Sequence, residues 1–203
     1  MSAEKPRERP ILFNDQMVRA ILDGRKTVTR RVMKPQPDFL GSMVDPNTPF
    51  KPLDAGLHAR ITCPYGEPGD RLWVRETWGL QVRSYGGGAG EFIVYRATNP
   101  DAIYCRSSEG REYPVKWKPS IHMRRHSSRI LLEITAVRVE RLQDISEEQA
   151  RAEGYPAERE CETGGSGLDA WLWFRSLWGE INGPEAFTAN PWVWVIEFKR
   201  VTP

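Results

Sequence analysis

Apolar positions early in the chain follow two different rhythms. Met17, Val18, Ile21 and Leu22 recur on one helical face, with Asn14 or Asp15 placed to cap its start. Gly24 stands where a left-handed terminating residue is needed, so a short helix is predicted to stop there. Residues 26–33, with the β-formers Val28, Thr29 and Val32, read as an extended segment leaving that turn. Farther on, Pro68-Gly69-Asp70 turns into Leu72-Trp73-Val74, a predicted strand. Leu80-Gln81-Val82 and Phe92-Ile93-Val94-Tyr95 flank a glycine cluster at 86–90, a hairpin pattern. The strongest strand signal runs from Arg129 to Leu142. Ile130, Leu132, Ile134 and Ala136 alternate there, and the alternation shifts by one at Val137 and Val139, as a bulge would require. Ser146 with Gln149 forms a capping box for a short helix that Gly154 can close. A second helix is predicted over Leu168 to Ile181, and a last strand over Trp192 to Phe198.

Strands dominate this pattern and do not alternate regularly with helices. An α+β fold is therefore expected, as a small, mostly antiparallel β-barrel with helices packed at its rim. Residues 1–10 are polar and proline-punctuated and read as a loose lead-in, with structure beginning at Ile11 and one domain spanning 11–203. Residues 34–67 hold six of the sixteen prolines and little periodicity, which predicts an irregular surface excursion.

Composition narrows the class without naming a function. At 203 residues with 39% hydrophobic and 28% charged, the chain has the makeup of one folded domain. It has no run of about 18 apolar residues and no apolar core near its start, so neither membrane insertion nor secretion is expected. Cys63, Cys105 and Cys161 form no CxxC pair, which points to reduced thiols and a cytoplasmic protein rather than a disulfide framework or zinc knuckle. Net charge is only +2, yet the cations are clustered: Arg25, Lys26, Arg30, Arg31 and Lys34 in one stretch, Lys116, Lys118, Arg124, Arg125 and Arg129 in another. Two such stretches meeting in space would make an anion-binding surface.

The densest chemistry lies between Ile21 and Arg31. A helix closed by Gly24 would project Lys26 from a corner, with Thr27, Thr29 and Arg31 on one side of the following strand and Lys26, Val28 and Arg30 on the other. A desolvated lysine beside a hydroxyl can serve as a base and nucleophile pair; the plain alternative is a solvated basic turn. Glu153 sits at the C-terminal end of its helix, where the macrodipole disfavours a carboxylate, so pairing with Lys26 or Arg31 would explain it. Trp73, Trp78, Trp117, Trp192 and Trp194 can stack on nucleobases, although most belong in a core. His58, His122 and His126 lack partners at ligand spacing, so no metal is expected; Arg124 and Arg125 suit phosphate contacts better.

Gly24-x-Lys26-x-x-Thr29-x-Arg31, preceded by the apolar helix Val18 to Leu22, resembles the signature of the ASCH domain, a branch of the PUA-like β-barrel superfamily. Pro68 to Val74, Ile130 to Leu142 and Val193 to Phe198 are similar in order to that family's barrel strands, with 34–67 and 79–128 as long insertions. Gly69 to Trp78 together with Trp117 to Met123 resembles the enlarged members common in bacteriophages and prophages. With threonine at position 29, the chain looks like the amidohydrolases that remove the acyl group from N(4)-acetylcytidine. That resemblance implies Lys26, Thr29 and Glu153 as the catalytic set, with no metal and no cofactor. It further implies Arg31 as an accessory group and RNA or a modified nucleoside as the partner; Thr27, Trp73, Arg124 and Arg125 join Arg31 as substrate-binding candidates on their own chemistry. A non-catalytic module for RNA or modified DNA, and a ribonuclease, are the other activities the same residues could serve.

Overall fold

The computed structural model describes residues 5–41, 47–52, 57–85, 88–156, 158–159 and 167–201. Its centre is a five-stranded sheet in the order β1-β6-β11-β12-β2, formed by β1 (Glu8–Leu12), β6 (Arg71–Arg75), β11 (Leu131–Arg141), β12 (Trp192–Val201) and β2 (Val28–Val32). β1 runs parallel to β6, and every other pairing is antiparallel. The class is α+β. The sheet is open: β1 and β2 are its edges, and no ladder joins them among the described residues.

Period-two alternation divides the two cores. Along β12, Trp194, Ile196 and Phe198 enter one cluster with Ile11, Val18, Leu72 and Leu132, whereas Val193 and Val195 enter another with Val28, Phe174 and Trp178. Helix α1 (Asp15–Leu22) covers the first cluster. It starts where the Asn14 side chain accepts from the Met17 amide at 2.8 Å, and the chain leaves it through Gly24 at φ +76°. The second cluster is covered by α2 (Glu147–Ala152) and by α3 (Asp169–Asn182), close to the helix expected at 168–181. The bulge expected in β11 is present as a register shift against β12 between Ile134 and Ala136.

Two expectations need correction. The polar lead-in is not loose up to Ile11, because Glu8, Arg9 and Pro10 belong to β1; Arg71 donates to the Arg7 carbonyl, Arg7 donates to Asp70, and Pro10 is tolerated on an edge strand. The 34–67 segment is not wholly irregular, for it carries β3 (Phe39–Leu40), β4 (Pro49–Pro52) and β5 (His58–Arg60) as a small antiparallel sheet. The Phe39 and Phe50 rings stack across it at 5.3 Å, a cross-strand pair that strands this short need. The hairpin expected around the glycine cluster is β7 (Trp78–Tyr85) with β8 (Gly88–Tyr95); residues 86–87 at its tip and Cys161 lie outside the described residues. β9 (Ile103–Arg106) and β10 (Glu112–Pro114) form a second, smaller hairpin. No helix of the described residues is long and apolar enough to cross a membrane.

Candidate functional site

The site begins with backbone geometry. Past Gly24, residue 26 forms an isolated antiparallel bridge with residue 153, and the Thr27 amide donates to the Ala152 carbonyl at 2.9 Å. Opposed residues of such a bridge put their side chains on the same face, which brings Lys26 and Glu153 together from 127 positions apart. Lys26 Nζ donates to Glu153 Oε2 at 2.6 Å, to the Glu153 carbonyl at 2.8 Å and to the Val28 carbonyl at 2.9 Å. Those are the three hydrogens an ammonium has to give. Lys26 and Glu153 are 2% and 4% exposed, so the pair is shielded from solvent and its interaction is little screened. Burial pushes the Lys26 ammonium below its ordinary pKa, while the Glu153 charge and hydrogen bond pull it back up.

Gly154 makes this approach possible. It adopts φ +104°, and a Cβ there would stand 2.9 Å from Ala20 Cβ and 3.2 Å from Lys26 Cβ. Gly154→Ala is therefore expected to cost about 2–4 kcal/mol from backbone strain and overpacking combined. A denaturant midpoint unchanged from the parent would show that this contact is slack.

Arg30 is the member that sequence reasoning missed. Its Nη1 reaches Glu153 Oε1 at 3.3 Å, and its Nη2 reaches Glu140 at 3.2 Å and Gln149 Oε1 at 2.9 Å. Glu153 is thus held from one side by Lys26 and from the other by Arg30. Gln149 Oε1 also accepts from the Ser146 amide in the capping box, so the start of α2 is tied to the same guanidinium. The strand alternation had placed Arg30 on the same side as Lys26, and that was the available signal.

Two cavities flank Glu153. One, of about 300 Å³, is lined by Thr29, Arg31, Tyr65, Glu153, Phe174 and Trp178 among others, between β2 and α3. The second, of about 460 Å³, lies between α1 and α3 and includes Gln16, Arg25, Glu153 and Trp173. Met17, Glu153 and Leu177 line both. Thr29 is 3% exposed. Arg31 donates through Nη2 to the Leu12 carbonyl at 2.7 Å, and its guanidinium and Lys26 Nζ stand over the Phe13 ring at 5.3 and 5.7 Å. Its Nε is buried with no acceptor in this structure, and burial lowers the pKa of the group.

The expected residues therefore divide. Lys26, Glu153, Thr29 and Arg31 converge around Phe13 and the smaller cavity, with Lys26 behind Glu153 rather than on a cavity wall. Thr27 is exposed at the entry to β2. Trp73, on β6, is separated from β2 by β11 and β12 and carries Arg75 over its ring at 5.6 Å. Arg125 is paired with Glu8 at 2.6 Å on the far edge strand, beside exposed Arg124. None of Trp73, Arg124 and Arg125 lines either cavity; the indoles that do are Trp173 and Trp178 of α3. No group of three His, Cys, Asp or Glu among the described residues could hold a metal ion.

No family model matches the chain, and no curated protein matches it. Among solved structures, the chain is similar to protein EF3133 from Enterococcus faecalis V583, described as DUF984, with 12% identity and a TM-score of 0.39 over 99% of this chain and 83% of that one.

Proposed function

We propose that this chain hydrolyses an acyl amide on a modified nucleobase, N(4)-acetylcytidine or a nucleic acid that carries it, in a PUA-like barrel of the ASCH type. The observation that carries this reading is the buried Lys26–Glu153 pair, whose carboxylate lines the same 300 Å³ cavity as Thr29 and Arg31. That volume is at the lower end of ordinary small-ligand sites. The barrel reading draws on Arg31, whose guanidinium spans from edge strand β2 to the end of edge strand β1.

Thr29 Oγ1 supplies the attacking oxygen. Its bond to the acyl carbon forms as the C–N bond breaks, and the hydroxyl proton passes to the departing exocyclic amine. Glu153 carries that proton because it, and not Lys26, lines the cavity. Lys26 holds the carboxylate from behind, and Arg30, itself on the cavity wall, holds its other oxygen. Water then cleaves the acyl ester, releasing acetate and restoring the hydroxyl. Developing oxyanion charge is met by Arg31 and Arg30, which both line this cavity and each keep an Nε–H without an acceptor.

The test is chromatographic. The protein should convert N(4)-acetylcytidine to cytidine and acetate, and Thr29→Val should reduce the rate by at least about 10³-fold with its melting temperature retained. No cytidine from the parent protein would sink the reading. A second reading, a non-catalytic module that only binds the modified base, is favoured by one observation: all three Lys26 ammonium hydrogens are already taken by protein oxygens. It predicts binding of N(4)-acetylcytidine without turnover.

A further inference from the structure

Residues 79–118 build a second concavity that shares no lining residue with those beside Glu153. Its volume is about 690 Å³. Leu80 of β7, Tyr104 of β9 and Tyr113 and Pro114 of β10 form an apolar wall, and Lys116 and Lys118 stand on its rim. Tyr113 is 42% exposed.

The charges here are uneven. Glu91, the carboxylate of the groove, accepts from the Tyr104 hydroxyl at 2.8 Å, and Arg106 is paired with Glu112 nearby. Lys116, Lys118 and Arg111 pair with no carboxylate among the described residues. Lys118 instead stands 4.6 Å over the Trp78 ring and Arg111 5.6 Å over Tyr113. The groove itself holds Tyr104 and Tyr113 beside Lys116 and Lys118, and Arg111 adjoins it over Tyr113; rings beside uncompensated cations are the two components of a single-strand nucleic-acid platform. The rings stack bases regardless of sequence, and the cations follow the phosphates.

We propose that this groove binds single-stranded nucleic acid, with Tyr104 and Tyr113 stacking bases and Lys116, Lys118 and Arg111 contacting phosphates. It stands on the groove's own chemistry; joined to the reading above, it makes the substrate a polymer, held at one place and processed at another.

The probe is a fluorescein-labelled 12-nucleotide RNA, followed by anisotropy over a range of salt concentrations. The parent should bind with an affinity that falls with salt. Lys116→Ala/Lys118→Ala should flatten the slope of log affinity against log salt by about 1.4, for two phosphate contacts on a single strand. Tyr113→Ala should weaken binding about tenfold at fixed salt and leave the slope unchanged. All three side chains are exposed, so these variants keep the fold. Absence of RNA binding, or parental affinity and slope in both variants, overturns the proposal. So does displacement of the RNA by polyglutamate at equal charge combined with no effect of Tyr113→Ala, since the groove would then be taking an acidic chain by charge alone. The hydrolase is judged separately: a protein that binds RNA through these residues but releases no cytidine from N(4)-acetylcytidine keeps the groove and loses the hydrolase.

Discussion

Lys26→Met is expected to lower stability by about 3–5 kcal/mol, the cost of breaking a buried ion pair by deleting one partner. Methionine fills the volume of the lysine stem and removes only the ammonium, so the loss comes from polar groups left without a donor. Glu153 Oε2 loses a bond of 2.6 Å, and the carbonyls of Glu153 and Val28 lose theirs in the same dry site. Arg30 still reaches the other carboxylate oxygen, but at 3.3 Å, and its second nitrogen is already shared between Glu140 and Gln149. For a chain of this length the melting temperature should fall by roughly 6–20 °C. A fall of less than about 1 kcal/mol in chemical denaturation would mean that water already reaches the pair.

The contribution of Lys26 also has a pH signature. Its folded-state pKa lies below its unfolded value, with burial as the main cause. Between those two values the unfolded chain binds more protons than the folded one, so this residue makes stability rise with pH across that window, up to the unfolded value near 10.4. Lys26→Met should remove that rise.

What could be read before the fold was known follows from which physical information is local. The helix stop at Gly24, the strand of Val28 to Val32 and the capping box at Ser146 depend on residues within a few positions of one another, and each is where the pattern put it. The bulge in β11 was visible because alternation slips within a single strand. The misplaced charge of Glu153 at a helix end pointed across 127 residues to Lys26 or Arg31, and the family resemblance grouped it with Lys26; no periodicity reports that two distant turns form a bridge. Alternation shows which residues share a face but not which strands are neighbours. Trp73 thus looked as eligible to line the site as any other indole, while the walls actually come from Phe174 and Trp178 of α3 and from Tyr65. β1 was overlooked for the opposite reason: its pairing is supplied by β6, and its own residues, Glu8, Arg9 and Pro10, have poor strand propensity.

Glu153→Gln should reduce turnover of N(4)-acetylcytidine by about 10²–10⁴-fold, the range associated with a positioned proton-transfer group. The substitution preserves shape but not charge, and its amide cannot satisfy both neighbours. If the Gln oxygen faces Lys26 Nζ, its NH₂ meets the Arg30 guanidinium, donor against donor; the reverse orientation opposes NH₂ to the ammonium. The influences raising the Lys26 pKa in the parent are the charge and hydrogen bond of Glu153. Without that charge the desolvation of Lys26 is unopposed by its main partner, and its folded pKa falls further. The gap between the folded and unfolded values then widens, so the climb of stability with pH should begin at a lower pH than in the parent and be steeper below the parent's own folded value. Chemical denaturation across a pH series below the unfolded lysine value reads this directly. A variant with normal turnover and a steepened pH slope would leave the ion pair intact as a structural element and remove Glu153 from the chemistry. Lost turnover with an unchanged slope would instead place the charge of Glu153 at the substrate and not at Lys26.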